Sequence, residues 1–98
     1  MTERLKMERG SGNVFADIGF SPGEAQNLQL RSDLMTRIER FVKRSAMTQT
    51  EAARALGVTQ PRLNDLLRGR IDKFSLDALV NMLGRAGMRV ELRVKKAA

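Results

Sequence analysis

Between residues 48 and 68 the chain carries two helix-start signals with a single glycine between them, and this arrangement restricts its folding more than any other. Thr48-Gln49-Thr50-Glu51 places a hydroxyl where it can accept from the amide three residues on, and a carboxylate where it can reach back to the amide at the cap. Ala52, Ala53, Ala55 and Leu56 follow. Small side chains let a second helix approach closely, and Gly57 can take the positive φ that stops a helix and turns the chain. Val58 then plugs the turn. Thr59 caps the next helix, where Pro61 is tolerated because first-turn amides have no intrahelical partner, and Gly69 ends it. At 100° per residue Leu63, Leu66 and Leu67 fall within a sector of about 100°, while Pro61, Asn64, Asp65 and Arg68 lie opposite. One face packs and the other is free to contact something else.

The flanks supply the rest of a small core. Ser21-Pro22-Gly23-Glu24 is another capping box, with proline at the first helical position. From it Ala25, Leu28, Leu34, Met35, Ile38, Phe41 and Val42 recur mostly three and four apart, predicting a long helix to about Ser45. Arg31, Arg37, Arg40, Lys43 and Arg44 lie largely outside that stripe, and Arg37, Arg40, Lys43 and Arg44 read as a solvated face. Ser75 caps a further helix with Leu76, Leu79, Val80, Met82 and Leu83 inward, ended by Gly84 or Gly87. Two stretches follow a period of two. Val14, Ala16, Ile18 and Phe20 alternate with Phe15, Asp17 and Gly19, suggesting a short extended segment. Met88, Val90, Leu92 and Val94 alternate with Arg89, Glu91, Arg93 and Lys95, suggesting one half-buried strand. A lone strand must pair with residues 14–20, with a copy of itself, or with a partner protein. Residues 1–13, charged and without an apolar period, read as a mobile arm.

Composition narrows the chemistry. The 98 residues contain neither cysteine nor histidine, so no disulfide, zinc finger, thiolate nucleophile or histidine-based triad can be built. The carboxylates are scattered singly and no GxxxxGK loop is present, so an enzyme is not expected, and neither is a cofactor or a metal. No apolar run approaches a membrane span, and the first residues do not read as a signal peptide; a cytoplasmic, nucleoid-associated protein is expected. The net charge of +7 favours a polyanionic partner. The chain has no tyrosine or tryptophan and only four phenylalanines, none arranged as a base-stacking platform, which points away from RNA.

Two short helices joined at Gly57, meeting at Ala52, Val58, Leu63 and Leu66, make a helix-turn-helix pattern. In its physical logic the first helix crosses a duplex backbone and the second enters the major groove, which admits one α-helix. TQTEAARALGVTQPRLNDLLRGR followed by FSLDALVNMLGRAG resembles the XRE-type (Cro/CI-like) helix-turn-helix family over roughly residues 26–87. GNVFADIGFSPGEAQNLQLRSDLM and GMRVELRVKK extend the likeness to compact antitoxins of HigA type. The resemblance implies a mainly α fold, a lambda-repressor-like bundle of about four helices with a C-terminal β-strand. It also implies repression of the protein's own operon and neutralisation of a RelE-like mRNA-cleaving toxin.

Position by position, Gln49 resembles the family residue that touches backbone and sometimes a base, and Gln60, Arg62 and Asn64 fall where base edges are read. Gln and Asn can bond adenine bidentately, and Arg can bond guanine O6 and N7. Thr59, Arg68, Arg70 and Lys73 are the expected phosphate contacts. Asp65 points outward, where a carboxylate is unfavourable unless it accepts from cytosine N4 or pairs with a nearby arginine. The expected organisation is an arm and short extended segment over residues 1–20, a helix-turn-helix domain over 21–87 with its motif at 48–68, and a strand and tail over 88–98. Met88, Val90, Leu92 and Val94 would serve dimerisation or partner pairing. The expected partners are a palindromic double-stranded DNA operator, a second copy of the chain and a RelE-like toxin. A standalone repressor without a toxin, and a protein-inhibitor module on a helix-turn-helix scaffold, are the alternatives.

Overall fold

A computed structural model describes residues 14–96, which form five α-helices and one 3-10 turn. The helices are α1 (Val14–Asp17), α2 (Pro22–Ser45), α3 (Gln49–Leu56), α4 (Gln60–Leu67) and α5 (Leu76–Arg85), with the 3-10 turn at Ile71–Lys73 between the last two. Each of the long helices starts where its cap predicts. Glu24 N–H donates to Ser21 Oγ at 3.3 Å, Glu51 N–H to Thr48 Oγ1 at 3.1 Å, Arg62 N–H to Thr59 Oγ1 at 3.3 Å, and Ala78 N–H to Ser75 Oγ at 3.1 Å. Such caps satisfy amides that the helix itself leaves orphaned. At Thr48 the box is complete, since its own N–H donates to Glu51 Oε1 at 2.9 Å.

The helix ends are equally local in origin. Gly57 stands at φ 75° and Gly69 at φ 76°, a region that a side chain disfavours. Beyond Gly57, Val58 N–H donates to Ala53 O at 2.9 Å, and beyond Gly69, Arg70 N–H donates to Asp65 O at 3.1 Å. These six-to-one bonds are Schellman closures, which satisfy the last carbonyls and turn the chain back on its helix. Val58 thereby packs against the core, as its position predicts.

That core is a single cluster. α2 contributes Leu34, Met35 and Ile38; α3 contributes Ala52, Ala53 and Leu56; α4 contributes Leu63 and Leu66; α5 contributes Leu79, Met82 and Leu83; Phe74 completes it from the connecting loop. The two methionines at helical spacing, Met35 and Met82, are buried as core residues. Val80 departs from expectation: it is exposed, because Leu79, Met82 and Leu83 occupy the inward stripe of α5.

Two expectations about secondary structure are also overturned. Residues 14–20 are not an extended segment but one helical turn and its closure, with Phe20 N–H donating to Phe15 O and Gly19 N–H to Ala16 O, both at 3.2 Å. The rings of Phe15 and Phe20 meet edge to face with centroids 6.3 Å apart, the apolar contact that accompanies a Schellman closure. The amides of Ile18, Gly19 and Phe20 are thus satisfied within the segment, which a strand without a neighbour cannot achieve. The predicted C-terminal β-strand is likewise absent: no strand occurs among the described residues, and the fold is all-helical with five helices rather than about four helices and a strand. With residues 14–20 helical, the intramolecular pairing candidate for residues 88–96 is gone. Met88 and Val90 pack against the core instead, Met88 N–H donating to Leu83 O at 2.9 Å, whereas Leu92 and Val94 are left exposed. The arm expected over residues 1–13 lies outside the described residues.

Candidate nucleic-acid interface

α3 and α4 are the two helices of the motif, and the turn at Gly57 between them is closely covered. A Cβ built on Gly57 would collide with the side chain of Arg85, which runs across the turn from the end of α5. Arg85 sits beside the C-terminal end of α3, where a cation is favoured by the helix dipole. Leu63 and Leu66 are fully buried and fix the rotation of α4 about its own axis. The opposite surface carries Gln60, Pro61 and Arg68, exposed, with Asn64 and Asp65 half-buried at its margin.

The expected contact residues are not presented alike. Gln60, in the first turn of α4, accepts at its Oε1 a hydrogen bond from Thr50 Oγ1 at 3.1 Å. This joins the two helices across their outer surface and restrains the amide before anything binds. Gln49 is exposed at the first position of α3. Thr59 uses its hydroxyl oxygen to cap α4, and its O–H remains a donor for an incoming anion. Arg62 does not extend outward: its guanidinium lies over the ring of Phe74, 4.5 Å from the centroid, and the residue is half-buried. Phe74 is itself 1% exposed, so Arg62 covers a core aromatic as much as it faces a groove.

Arg70 and Lys73 lie together beyond α4, and Asp65 joins them. Its Oδ1 is 3.3 Å from Arg70 Nη1 and its Oδ2 is 3.9 Å from Lys73 Nζ. Of the two roles open to Asp65 from the sequence, pairing with an arginine is the one present in the folded chain. The loop bearing these cations is held from α2 by Arg31, whose Nη1 donates to Ile71 O at 3.1 Å and to Phe74 O at 3.3 Å. Arg31 Nε donates in turn to Asn27 Oδ1 at 2.7 Å. The sequence pattern puts Arg31 outside the apolar stripe of α2 and does not single out Thr50; the role of each depends on a residue far along the chain, and Arg31 is half-buried against the 71–74 loop. Met88 and Val90 are half-buried against the core, whereas the side chains of Leu92 and Val94 are exposed.

The capping box also sets a charge. The amide and hydroxyl of Thr48 hydrogen-bonded to Glu51 hold its carboxyl below the ordinary value, with Arg54 adding a smaller push in the same direction. Elsewhere on α2, Lys43 pairs with Glu39 at 3.8 Å on an exposed face, as a solvated stripe does. Among the described residues no group of three or more acidic, histidine or cysteine side chains converges as metal ligands, and no helix is long and apolar enough to cross a membrane.

A family model described as a helix-turn-helix domain matches residues 14–95, which includes all five helices and the segment after them. No curated protein matches the chain significantly.

Proposed function

The chain belongs to the helix-turn-helix domain family, and from that premise we propose that it is a sequence-specific, non-enzymatic DNA-binding repressor of the XRE type. The observation that carries this reading is the outer surface of α4, where Gln60 is exposed and tethered to Thr50, Asn64 flanks it, and the cations Arg68, Arg70 and Lys73 gather at the helix end. A helix of this kind fits the major groove, with amide side chains at base edges and basic residues at phosphates. Gln60 and Asn64 are the base readers. Gln49 and Thr59 meet the backbone at the starts of α3 and α4, and Arg68, Arg70 and Lys73 hold phosphates. Arg62 reaches a base only by leaving Phe74, so its contribution includes the loss of that contact.

The repressor acts as a two-fold dimer on a palindromic operator whose half-sites are about one helical turn, ~34 Å, apart. Exposed Leu92 and Val94 support this, as apolar surface on the segment after α5. The likeness of the flanks to HigA-type antitoxins supports a further role, autoregulation coupled to neutralisation of a RelE-like toxin. Exposed Val14 and Ile18 on and just beyond α1 provide apolar surface for such a partner.

The test begins with selection of a preferred duplex from a random pool. On that duplex Gln60→Ala and Asn64→Ala each lower discrimination at one or two base pairs by ~1–3 kcal/mol, whereas Arg68→Ala weakens all duplexes alike. Equal losses on selected and random duplex for both α4 amide variants would remove the base-reading role. Co-purification of a small basic protein encoded beside this one tests the antitoxin role, and the absence of such a protein from the coding neighbourhood favours the standalone repressor.

A further inference from the structure

A carboxylate on the outward face of a helix meant for DNA needs a physical reason, above all in a chain of net charge +7. Stability does not supply it. Asp65, Arg70 and Lys73 have side chains 27%, 44% and 48% exposed, and ion pairs of that exposure contribute little. The arrangement is nevertheless specific. Each oxygen of Asp65 faces a different cation, Oδ1 toward Arg70 and Oδ2 toward Lys73, and the Asp65 backbone carbonyl also accepts the Arg70 N–H at 3.1 Å. Arg31 fixes the intervening loop through Ile71 O and Phe74 O. Both cations are therefore drawn back against the end of α4.

We propose that Asp65 is a specificity-determining residue: its carboxylate holds Arg70 and Lys73 away from arbitrary phosphates and yields them only when α4 is seated in a fitting groove. This rests on the reading of α4 as the DNA-contacting helix. On random duplex, where α4 is not seated, phosphates must compete with the carboxylate one contact at a time, and the charge of Asp65 repels them whatever the sequence. On a fitting sequence the base contacts of Gln60 and Asn64 bring the helix end to the backbone, and both cations pass to phosphates together. Asp65 thus lowers random binding more than cognate binding.

The experiment is a fluorescence-anisotropy titration at fixed salt against a duplex selected from a random pool and a random duplex of equal length. It uses the full chain as wild type, Asp65→Asn, Asp65→Glu, and Asp65→Asn in an Arg70→Gln/Lys73→Gln background. Asp65→Asn is expected to tighten random binding about three- to tenfold and to steepen its salt dependence by ~0.9 for each cation released, with selected binding changed less, so that the preference falls. Asp65→Glu keeps the preference, and in the doubly substituted background the effect of Asp65→Asn vanishes, because its targets are gone. An unchanged preference in Asp65→Asn, or the same effect with and without the two cations, overturns the proposal. So does a loss confined to one base pair, which would mean that Asp65 reads cytosine. Should Asp65→Asn fail to fold, Arg70→Gln/Lys73→Gln carries the test alone: it must weaken selected binding at least about fivefold more than random binding, and an equal loss overturns the proposal. A wild type that does not discriminate between duplexes defeats the DNA reading itself. Discrimination with an unaltered preference in Asp65→Asn defeats only this inference.

Discussion

Two glycines of the same chain should respond to alanine with opposite signs. Gly57 has φ 75° at the turn between α3 and α4, and a Cβ there would run into the side chain of Arg85. Gly84 lies within α5, with nothing within 4 Å of its hypothetical Cβ. Alanine at Gly57 must adopt left-handed backbone at a cost of ~1–2 kcal/mol, and Arg85, a flexible side chain, must swing off the turn. Alanine at Gly84 sheds the backbone entropy that glycine loses in a helix and stabilises by ~0.5–1 kcal/mol. In a domain of this size each kcal/mol moves the melting midpoint by about 4–8 °C. Circular-dichroism melts of both variants at one protein concentration measure the two shifts, the fixed concentration removing any contribution from association. A Gly57→Ala protein that melts with the wild type, or a Gly84→Ala protein that melts below it, would refute the assignment of these two backbone conformations.

Leu63 is fully buried on the inner face of α4, so Leu63→Ala should cost ~2–5 kcal/mol in urea unfolding, and a loss below 1 kcal/mol would place α4 in the wrong rotation. Arg31→Met removes the donors to Ile71 O and Phe74 O; hydrogen exchange at residues 70–74 should accelerate while that of the buried part of α3 changes little. Because the Thr48 bonds lower the folded pKa of Glu51, its contribution to stability is fully present above the unfolded pKa and is lost as pH falls through the folded one. Comparing the acid limb of unfolding for wild type and Glu51→Gln checks this: the variant should lose that part of the pH dependence, and identical limbs would contradict the capping box.

The parts of the fold that were legible in the sequence are those set by a few adjacent residues. Ser21, Thr48, Thr59 and Ser75 all cap the helices they were expected to cap, because a hydroxyl and an amide three residues on need no help from the rest of the chain. The period-two stretches misled because alternation carries no information about a partner. At residues 14–20 the decisive signal was the Phe15, Gly19, Phe20 spacing of a Schellman closure, and at residues 88–96 the alternating apolar side chains divide between the core and solvent. The outward face of α4 was legible from its wheel. The stacking of Arg62 on Phe74 and the reach of Thr50 to Gln60 were not, since both depend on how separate elements pack. For Asp65 the sequence left two roles open, and only the closure at Gly69, which folds Arg70 and Lys73 back, distinguishes them.

The central claim is that α4 reads base sequence, and it is met most directly by titrating the wild-type protein at one fixed salt concentration with its selected duplex and with random duplex. Salt must be fixed because phosphate contacts alone generate affinity that varies steeply with ionic strength. A preference of ~10³-fold or more for the selected duplex is the predicted result. Equal, weak binding to both would contradict it and leave α3 and α4 as a scaffold for binding another protein.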